Sequence, residues 1–418
     1  MKRLLILGAG TAGTVMANRL HRALPADWEI TIVDRDERHV YQPGLLFIPF
    51  GAYTPDDVLR PRRELLPDGV EFVVAEIDRV EPEAHCVTLA DGRALIYDLL
   101  IVATGTEIRP DETPGLDGAL WRRDAFDFYT LDGAVTLRDR LAAWEGGRLT
   151  IALAESVFKC PVAPLEFAFL ADAFFTGRGM RDRVEIRYVT PLSGAFTKPK
   201  ASRMLGSLLE EKGITVVPDF YIEHVDDERK TLVSYDGSEE PFDLLVTVPV
   251  NKGAAWVERS GLGDDDGLGF IPTDKHTLRA RGHADVFVIG DATNVPTSKA
   301  GSVAHFESEV LVQNVLDHIA GRPLSASFDG HANCFIETGH GKATLVDFNY
   351  TTEPLPGHYP LPVVGPMSLL KETRLNHAGK LAFRWVYWNL LLPGRPIPVS
   401  HDMSMTGKVV DDDVSVPA

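Results

Sequence analysis

The chain has 418 residues, 44% of them hydrophobic, which is enough for two or three domains rather than one core. Its net charge of −18 argues against nucleic-acid binding, which needs clustered lysine and arginine. The three cysteines form no CxxC pair, so we expect neither a metal site nor a disulfide-stapled secreted domain. No apolar run approaches the ~20 residues that span a bilayer, and the first apolar run is too short for a signal peptide, so we expect a cytoplasmic protein.

A glycine-rich turn follows the first short apolar strand and precedes a predicted helix. It has the G-x-G-x-x-G pattern through Gly8, Gly10 and Gly13, which allows a tight turn, close approach of a pyrophosphate, and close packing of helix on strand. A second strand at 29–33 ends at Asp34, an acid placed to bind a ribose hydroxyl. The pattern predicts a dinucleotide site, and a glycine turn without a ligand is the alternative.

The rest of the chain continues this pattern, so we expect an α/β fold of two Rossmann-like dinucleotide-binding domains plus a C-terminal membrane-interface segment. The FAD-binding domain is predicted at 1–115 and 249–322, the second domain at 116–248, and the C-terminal segment at 323–418. Residues 411–413 are expected to be an acidic solvated tail. The strands are predicted at 71–75, 86–89, 98–103, 149–153, 185–189, 214–217, 243–248 and 285–290, and a helix at about 302–320.

Two strand ends favour FAD over NAD as the bound dinucleotide. Ala103, Thr104 and Gly105 end one buried strand, and Asp291 ends another within a GDAT sequence. Asp291 can accept a hydrogen bond from a ribityl hydroxyl, although capping the next helix is an alternative role. These patterns resemble the two-domain flavoprotein reductases, which include the disulfide reductases and the type II NADH dehydrogenases, over about 1–322.

The second domain lacks the glycine turn with which NADH-using members of that group begin. Strand 149–153 runs into AESVFKCPVAP, which contains no glycine to let a pyrophosphate approach. Cys160 stands there instead, after Lys159 and where a helix is predicted to begin, and both features favour a thiolate. We predict a redox role for Cys160, with a buried structural cysteine as the alternative.

The other two cysteines differ in their surroundings. Cys334 follows the helix after GDAT, where the returning chain would pass near the flavin, and simple burial is again the alternative. Cys86 lies on an alternating strand before a turn, so we predict a structural role for it.

The sequences FKCPVAPLEFAF, around Cys160, and NCFIETGHGKATLVDFNY, around Cys334, resemble the sulfide:quinone oxidoreductase family, as do the runs at 41–47 and 290–307. The resemblance spans most of the chain, and the family's two redox cysteines match Cys160 and Cys334. It implies FAD-dependent oxidation of sulfide to sulfur or polysulfide, with transfer of electrons to a membrane quinone. A third family cysteine is absent here between Gly105 and Cys160, so we expect FAD without a cysteinyl bond.

Other activities stay open. The flavoprotein subunit of flavocytochrome c sulfide dehydrogenase shares the redox cysteines but normally carries an export signal, which we do not expect here. A type II NADH:quinone dehydrogenase is disfavoured by the missing second glycine turn. A non-catalytic FAD-stabilised scaffold or sulfur carrier with unused cysteines is the third alternative.

The resemblance also implies roles for side chains near the flavin. Sulfide would attack a disulfide or polysulfide bridge between Cys160 and Cys334, which leaves a persulfide on one of them. Glu166, one helical turn beyond Cys160, can manage a proton, with a surface position as the alternative. Lys299 can stabilise an anionic reduced flavin, while His305 fits either packing or proton uptake.

Residues 367–395 carry five basic residues against one acid, a local charge of +4 (5 − 1), and their aromatic residues interleave with leucines: Phe383, Trp385, Tyr387 and Trp388. Such a stretch predicts a helix lying in a membrane surface, on the cytoplasmic side. Core packing or a subunit interface in a homo-oligomer is the alternative. A lipid-soluble quinone would bind nearby, with Phe348 and Tyr350 as candidate lining residues.

Overall fold

The computed structural model describes residues 1–361 and 365–410, and it confirms the α/β fold with two parallel sheets. The first sheet is parallel, and its strands run across it in the order Val286–Val288, Leu99–Val102, Lys2–Leu7, Trp28–Asp34 and Val70–Val74. Leu4 and Ile6 pack into one hydrophobic core, whereas Leu5 and Leu7 pack into another on the opposite face. Both faces of the sheet are therefore covered, which explains the near-continuous apolar strands.

Helices follow the strands of the first sheet. The glycine turn leads into helix Thr11–Ala23, which packs against helix Gly301–Ile319 from much later in the chain. The strand Val286–Val288 also comes after the whole second sheet. The first unit is thus assembled from two separate parts of the sequence.

The second sheet is parallel as well. Its strands run in the order Ala125–Phe126, Leu244–Val248, Gly147–Leu153, Val184–Val189 and Ile214–Val217. The chain enters and leaves this unit through an antiparallel pair, Thr106–Arg109 with Val250–Gly253, which fixes the two sheets to each other. The helices of this unit are Leu131–Ala143, Ala163–Gly177 and Pro199–Glu211.

A mixed sheet, which the sequence pattern did not predict, begins the C-terminal segment. Its strands run in the order Ala332–Gly339, Lys342–Phe348, Met367–Leu369 and Gly357–Tyr359. Strand Ala332–Gly339 packs on helix Ala163–Gly177, and helix Arg374–Val386 packs on the outer side of the same hairpin. That helix continues as a π-turn over Tyr387–Leu391.

Smaller elements complete the described part of the chain. They are the strands Arg38–Val40 with Leu59–Pro61, Ile77–Glu81 with Cys86–Leu89 and Ala94–Ile96, and Ile222–Asp226 with Thr231–Ser234 and Glu239–Pro241, together with the helices Pro55–Val58 and Ala255–Arg259. Among the described residues, no helix combines the length and the apolar character needed to cross a bilayer. The predicted acidic tail at 411–413 lies outside the described residues.

Candidate functional site

A cleft of about 410 Å³ opens at the carboxyl ends of the strands of the first sheet. This is the edge at which open α/β sheets bind their ligands. Most of the residues predicted to bind the cofactor line the cleft, and so does one of the two predicted redox cysteines: Gly8, Gly10, Asp34, Ala103, Thr104, Gly105, Asp291, Lys299 and Cys160.

The glycine turn is shaped as its pattern predicts. Gly8 has φ +95°, and a Cβ there would lie 2.4 Å from the Ala103 carbonyl oxygen. A Cβ on Gly13 would lie 1.8 Å from the Gly8 carbonyl oxygen, so only glycine lets the helix approach the turn this closely. A Cβ on Gly10 would meet nothing within 4 Å, which leaves open space on the ligand side of the turn.

Asp34 is held by a buried arginine that sequence reasoning missed. Its Oδ2 accepts from the Ala9 backbone N–H at 2.7 Å, and its Oδ1 lies 3.2 Å from Nη2 of Arg62. Arg62 also donates to the Ala9 carbonyl oxygen and, through Nε, to the Asp36 carbonyl oxygen at 3.0 Å. Arg62 begins a 3₁₀ turn, Arg62–Leu65, which is too short to leave a periodic pattern, so no sequence signal pointed to it.

Three buried polar atoms of the cleft have no hydrogen-bond partner within the described chain: Thr104 Oγ1, Thr106 Oγ1 and Trp256 Nε1. A buried donor or acceptor without a partner costs about 1–3 kcal/mol, so such groups are usually satisfied by a ligand or by water. Together with the glycine turn, they fit a polar, dinucleotide-sized group such as FAD.

The second strand end places Asp291 and Lys299 in the lining of the cleft, with the buried Glu307 behind them. Lys299 Nζ donates to the carbonyl oxygens of Asp291 at 2.9 Å and Thr293 at 2.6 Å, and burial lowers its pKa to about 8. Burial also raises the pKa of Glu307 to about 8, and Glu307 accepts from the Gly290 backbone N–H. The next helix begins only at Gly301, so the alternative in which Asp291 caps that helix is wrong.

Cys160 lies in the loop that replaces the second glycine turn. Helix Ala163–Gly177 begins three residues later, so Cys160 is outside the helix rather than at its start. Its backbone N–H donates to the Lys299 carbonyl oxygen at 2.7 Å, and its carbonyl oxygen accepts from the Tyr129 hydroxyl at 3.3 Å. The loop therefore attaches the cysteine to the inner part of the cleft.

Cys334 lies on the strand Ala332–Gly339, close enough to Cys160 to raise the pKa of the Cys160 thiol. The two cysteines are 174 (334 − 160) positions apart, and no disulfide joins them in this structure. Burial, opposed by Lys380, raises the pKa of Cys160 to about 12 and that of Cys334 to about 11. The expectation that Cys160 is a thiolate is therefore wrong for this form, because burial outweighs the neighbouring cation.

A buried ion pair stands beside the two thiols. Glu166 is 1% exposed, so the alternative of a surface glutamate is wrong. Its Oε1 accepts from Lys380 Nζ at 2.7 Å and from the Glu337 backbone N–H at 2.8 Å. Glu166 and Lys380 both line the cleft, and sequence reasoning missed Lys380 because it counted this residue among the exposed basic ones.

Other predicted residues lie farther from the cleft. Neither Phe348 nor Tyr350 is among its described lining residues; Phe348 is buried in the core, and the Tyr350 hydroxyl donates to the Lys275 carbonyl oxygen at 2.9 Å. Burial and Arg19 lower the pKa of His305 to about 4, which favours packing over proton uptake.

The membrane-interface stretch is only partly exposed. Trp385 is 61% exposed, whereas Tyr387 and Trp388 are buried. The Tyr387 hydroxyl lies 2.7 Å from His39 Nε2 and 2.7 Å from Thr11 Oγ1, so it closes the cleft beside the glycine turn. For Tyr387 and Trp388 the core-packing alternative therefore holds, whereas the membrane-surface prediction stays a prediction for the exposed part of the stretch.

The sequence profile of the family described as pyridine nucleotide-disulphide oxidoreductase matches residues 2–308. A Dictyostelium discoideum protein named mitochondrial sulfide:quinone oxidoreductase is 27% identical over 400 residues, which cover 94% of this chain and 86% of that protein. A Mus musculus protein of the same name is 26% identical, with 93% and 86% covered. The solved structure of the sulfide:quinone oxidoreductase from Aquifex aeolicus has a similar fold, with a TM-score of 0.78 and 20% identity over 93% of this chain and 92% of that one.

Proposed function

Because this chain belongs to the pyridine nucleotide-disulphide oxidoreductase family, we propose that it oxidises sulfide through Cys160 and Cys334 and passes the electrons through FAD to a quinone. One observation carries the proposal: Cys160 lines the cleft where NADH-using relatives have a glycine turn, and Cys334, distant in sequence, lies near enough to raise its pKa. The relatives that match most of the chain bear the corresponding name.

The predicted cofactor, FAD, is confirmed by membership of this flavoprotein family. The glycine turn would hold its pyrophosphate, Asp34 its adenosine ribose, and Asp291 and Lys299 its flavin side. Bound FAD supplies two-electron acceptance from sulfur and delivery to a quinone.

The cysteine pair accounts for the sulfur chemistry. HS⁻ can attack a Cys160–Cys334 disulfide, so that a new S–S bond forms to one cysteine and the other leaves as a thiolate. The Lys380 ammonium, held at 2.7 Å from Glu166, lies close enough to stabilise that thiolate. In the reduced pair, burial raises the pKa of the two thiols to about 12 and 11 and so favours their protonated form.

Attachment to a membrane surface belongs to the same proposal. On the C-terminal helix, Leu375, Leu381 and Trp385 are exposed, and they would enter the lipid from the cytoplasmic side. A quinone dissolved in that lipid would reach the protein near this helix. Phe348 and Tyr350 remain candidates for its lining.

A stopped-flow experiment on the FAD-loaded protein tests the function. Sulfide should bleach the flavin absorbance without oxygen, and a soluble quinone should restore it, whereas NADH should leave it unchanged. Bleaching by NADH would indicate a type II NADH dehydrogenase, and the absence of bleaching by either would indicate a non-catalytic protein. Reoxidation by cytochrome c but not by quinone would indicate a flavocytochrome c-type enzyme.

A further inference from the structure

Glu337 is a second buried acidic residue close to Glu166, and it is not among the described residues that line the cleft. Glu337 is 1% exposed and lies three residues after Cys334 on the strand Ala332–Gly339. Its backbone N–H donates to Glu166 Oε1 at 2.8 Å, so the strand and the helix Ala163–Gly177 are joined at the two glutamates. The disulfide chemistry proposed above gives Glu337 no role.

The C-terminal helix covers both carboxylates with basic side chains one turn apart. Lys380 Nζ donates to Glu166 Oε1 at 2.7 Å and to the Phe335 carbonyl oxygen at 3.1 Å. His377 Nδ1 lies 2.9 Å from both carboxylate oxygens of Glu337. The side chain of Lys380 is 11% exposed and that of His377 is 29% exposed, so the cluster reaches solvent at His377.

The carboxyl of Glu337 can gain or lose a proton near neutral pH. Burial and Glu166 raise its pKa to about 7, although His377 and Lys380 act in the opposite direction. Tyr53 also faces this cluster, and burial raises its pKa, so it stays neutral there. The other charged groups on this side are paired with each other: Arg384 with Asp57.

We propose that Glu337 and His377 form a proton route between solvent and the buried Glu166–Lys380 pair beside Cys160. The inference rests on the proposed function, since each ionisation of a cysteine or of bound H₂S releases a proton into this buried site. The proton would pass to the Glu166–Lys380 pair, then to the Glu337 carboxylate, and leave through His377. No electron moves along this route.

An infrared titration of the FAD-loaded protein tests whether the Glu337 carboxyl exchanges protons. A C=O band of a protonated carboxyl should disappear as the pH rises through about 7. Glu337→Gln should lack this band, and His377→Ala should move its midpoint to higher pH, because His377 lowers the pKa of Glu337. A spectrum unchanged by either substitution overturns the proposal.

Stopped-flow kinetics test whether the pair carries protons during turnover. His377→Ala should slow both sulfide-driven bleaching and proton release to an indicator dye by about tenfold or more, and added imidazole should restore both. His340→Ala is the matched control, because His340 also pairs with a buried acid, Asp172, at 3.1 Å, and Asp172 in turn pairs with Arg181 rather than with the Glu166–Lys380 pair. His377→Ala with parental rates, or slow rates that imidazole does not restore, overturns the proposal.

The infrared titration and the stopped-flow kinetics together distinguish a failure of this inference from a failure of the proposed function. If sulfide bleaches the parent but His377→Ala behaves like His340→Ala, the proton route is wrong and the function stands. If sulfide never bleaches the parent, the function is wrong, and the infrared titration, which needs no sulfide, decides whether Glu337 and His377 exchange a proton.

Discussion

Cys160 has a backbone conformation that few residues with a side chain adopt. Its φ is +53°, in the left-handed region, and the loop is held there by its hydrogen bonds to Lys299 and Tyr129. Such conformations persist where the surrounding structure fixes them, and they cluster at functional sites. The conformation therefore supports a chemical role for the cysteine rather than simple packing.

Replacing either redox cysteine should abolish the reaction while the cofactor stays bound. Cys160→Ser and Cys334→Ser should each lower the rate of sulfide-driven flavin bleaching by about a hundredfold or more, because a serine oxygen cannot form the disulfide that HS⁻ attacks. Cys86→Ser is the control, since Cys86 lies on a separate strand and does not line the cleft. Parental rates in either variant would make that cysteine structural.

FAD should be released intact when the protein is denatured. Among the described lining residues Cys160 is the one cysteine, and the proposed redox chemistry needs its sulfur free, so no thiol of the lining is left to bond the flavin. Acid precipitation should leave yellow flavin in the supernatant. Flavin that stays with the pellet and maps to a cysteine peptide would contradict this prediction.

At the scale of elements, the C-terminal helix has one buried face and one face with exposed apolar side chains. One face buries Asn376 and closes on the C-terminal hairpin, while the opposite face exposes Leu381 and Trp385. The π-turn that follows is buried at Tyr387, Trp388 and Leu391, and Tyr387 contacts Thr11 and His39. Removal of the whole segment would therefore open the core, and point substitutions are the better test of membrane attachment.

The double substitution Leu381→Ser and Trp385→Ser should release the protein from liposomes without loss of FAD. Leu381 is 38% exposed and Trp385 61%, so their replacement removes apolar area from the surface and not from the core. Tyr235→Ser is the control, because Tyr235 is 73% exposed but follows the strand Thr231–Ser234 and is not part of the C-terminal helix. Sedimentation with liposomes at low and high salt measures the effect. If the parent itself stays in the supernatant, this helix binds another subunit instead.

The sequence predicted the parallel strands well, because buried strands and glycine turns produce local patterns that can be recognised in one sequence. The same holds for Gly8 and Gly13, whose positions follow from the glycine turn, whereas Cys160 lies in a loop before the helix that was expected to begin there. Arg62 and Lys380 were missed because their partners lie far away in sequence, so nothing local distinguishes them from surface residues. The C-terminal hairpin was missed because its long strands carry polar residues that are buried in pairs, such as Asp347 with His331.

At the scale of the whole molecule, the last described residues are tied to the body by a buried ion pair. Lys408 Nζ lies 2.5 Å from Oδ2 of Asp347, and both side chains are 1% exposed. His331 Nε2 lies 2.8 Å from the other oxygen of Asp347. Lys408 also forms an isolated antiparallel bridge with Gly357, which lies on a strand of the C-terminal sheet.

Lys408→Met should destabilise the folded protein by about 3–5 kcal/mol, because it leaves the Asp347 carboxylate buried without its cation. Thermal melting of the FAD-loaded protein measures the loss. Lys371→Met, at an exposed position of the same segment, should melt like the parent. Equal melting temperatures for the two variants would mean that water replaces the ammonium at Asp347.

Tyr387 gives the cleft one wall, while Thr11, 376 positions earlier in the sequence, and His39 give the opposing contacts. A ribosome reads these positions in order, so the wall beside the glycine turn stays open until the chain has been synthesised through Tyr387. Contacts between such distant positions also form late in refolding, since closing a long loop costs entropy before it gains contacts. Until Tyr387 has docked, the cleft lacks this wall, so we expect the chain to enclose its flavin only after this long-range contact has formed.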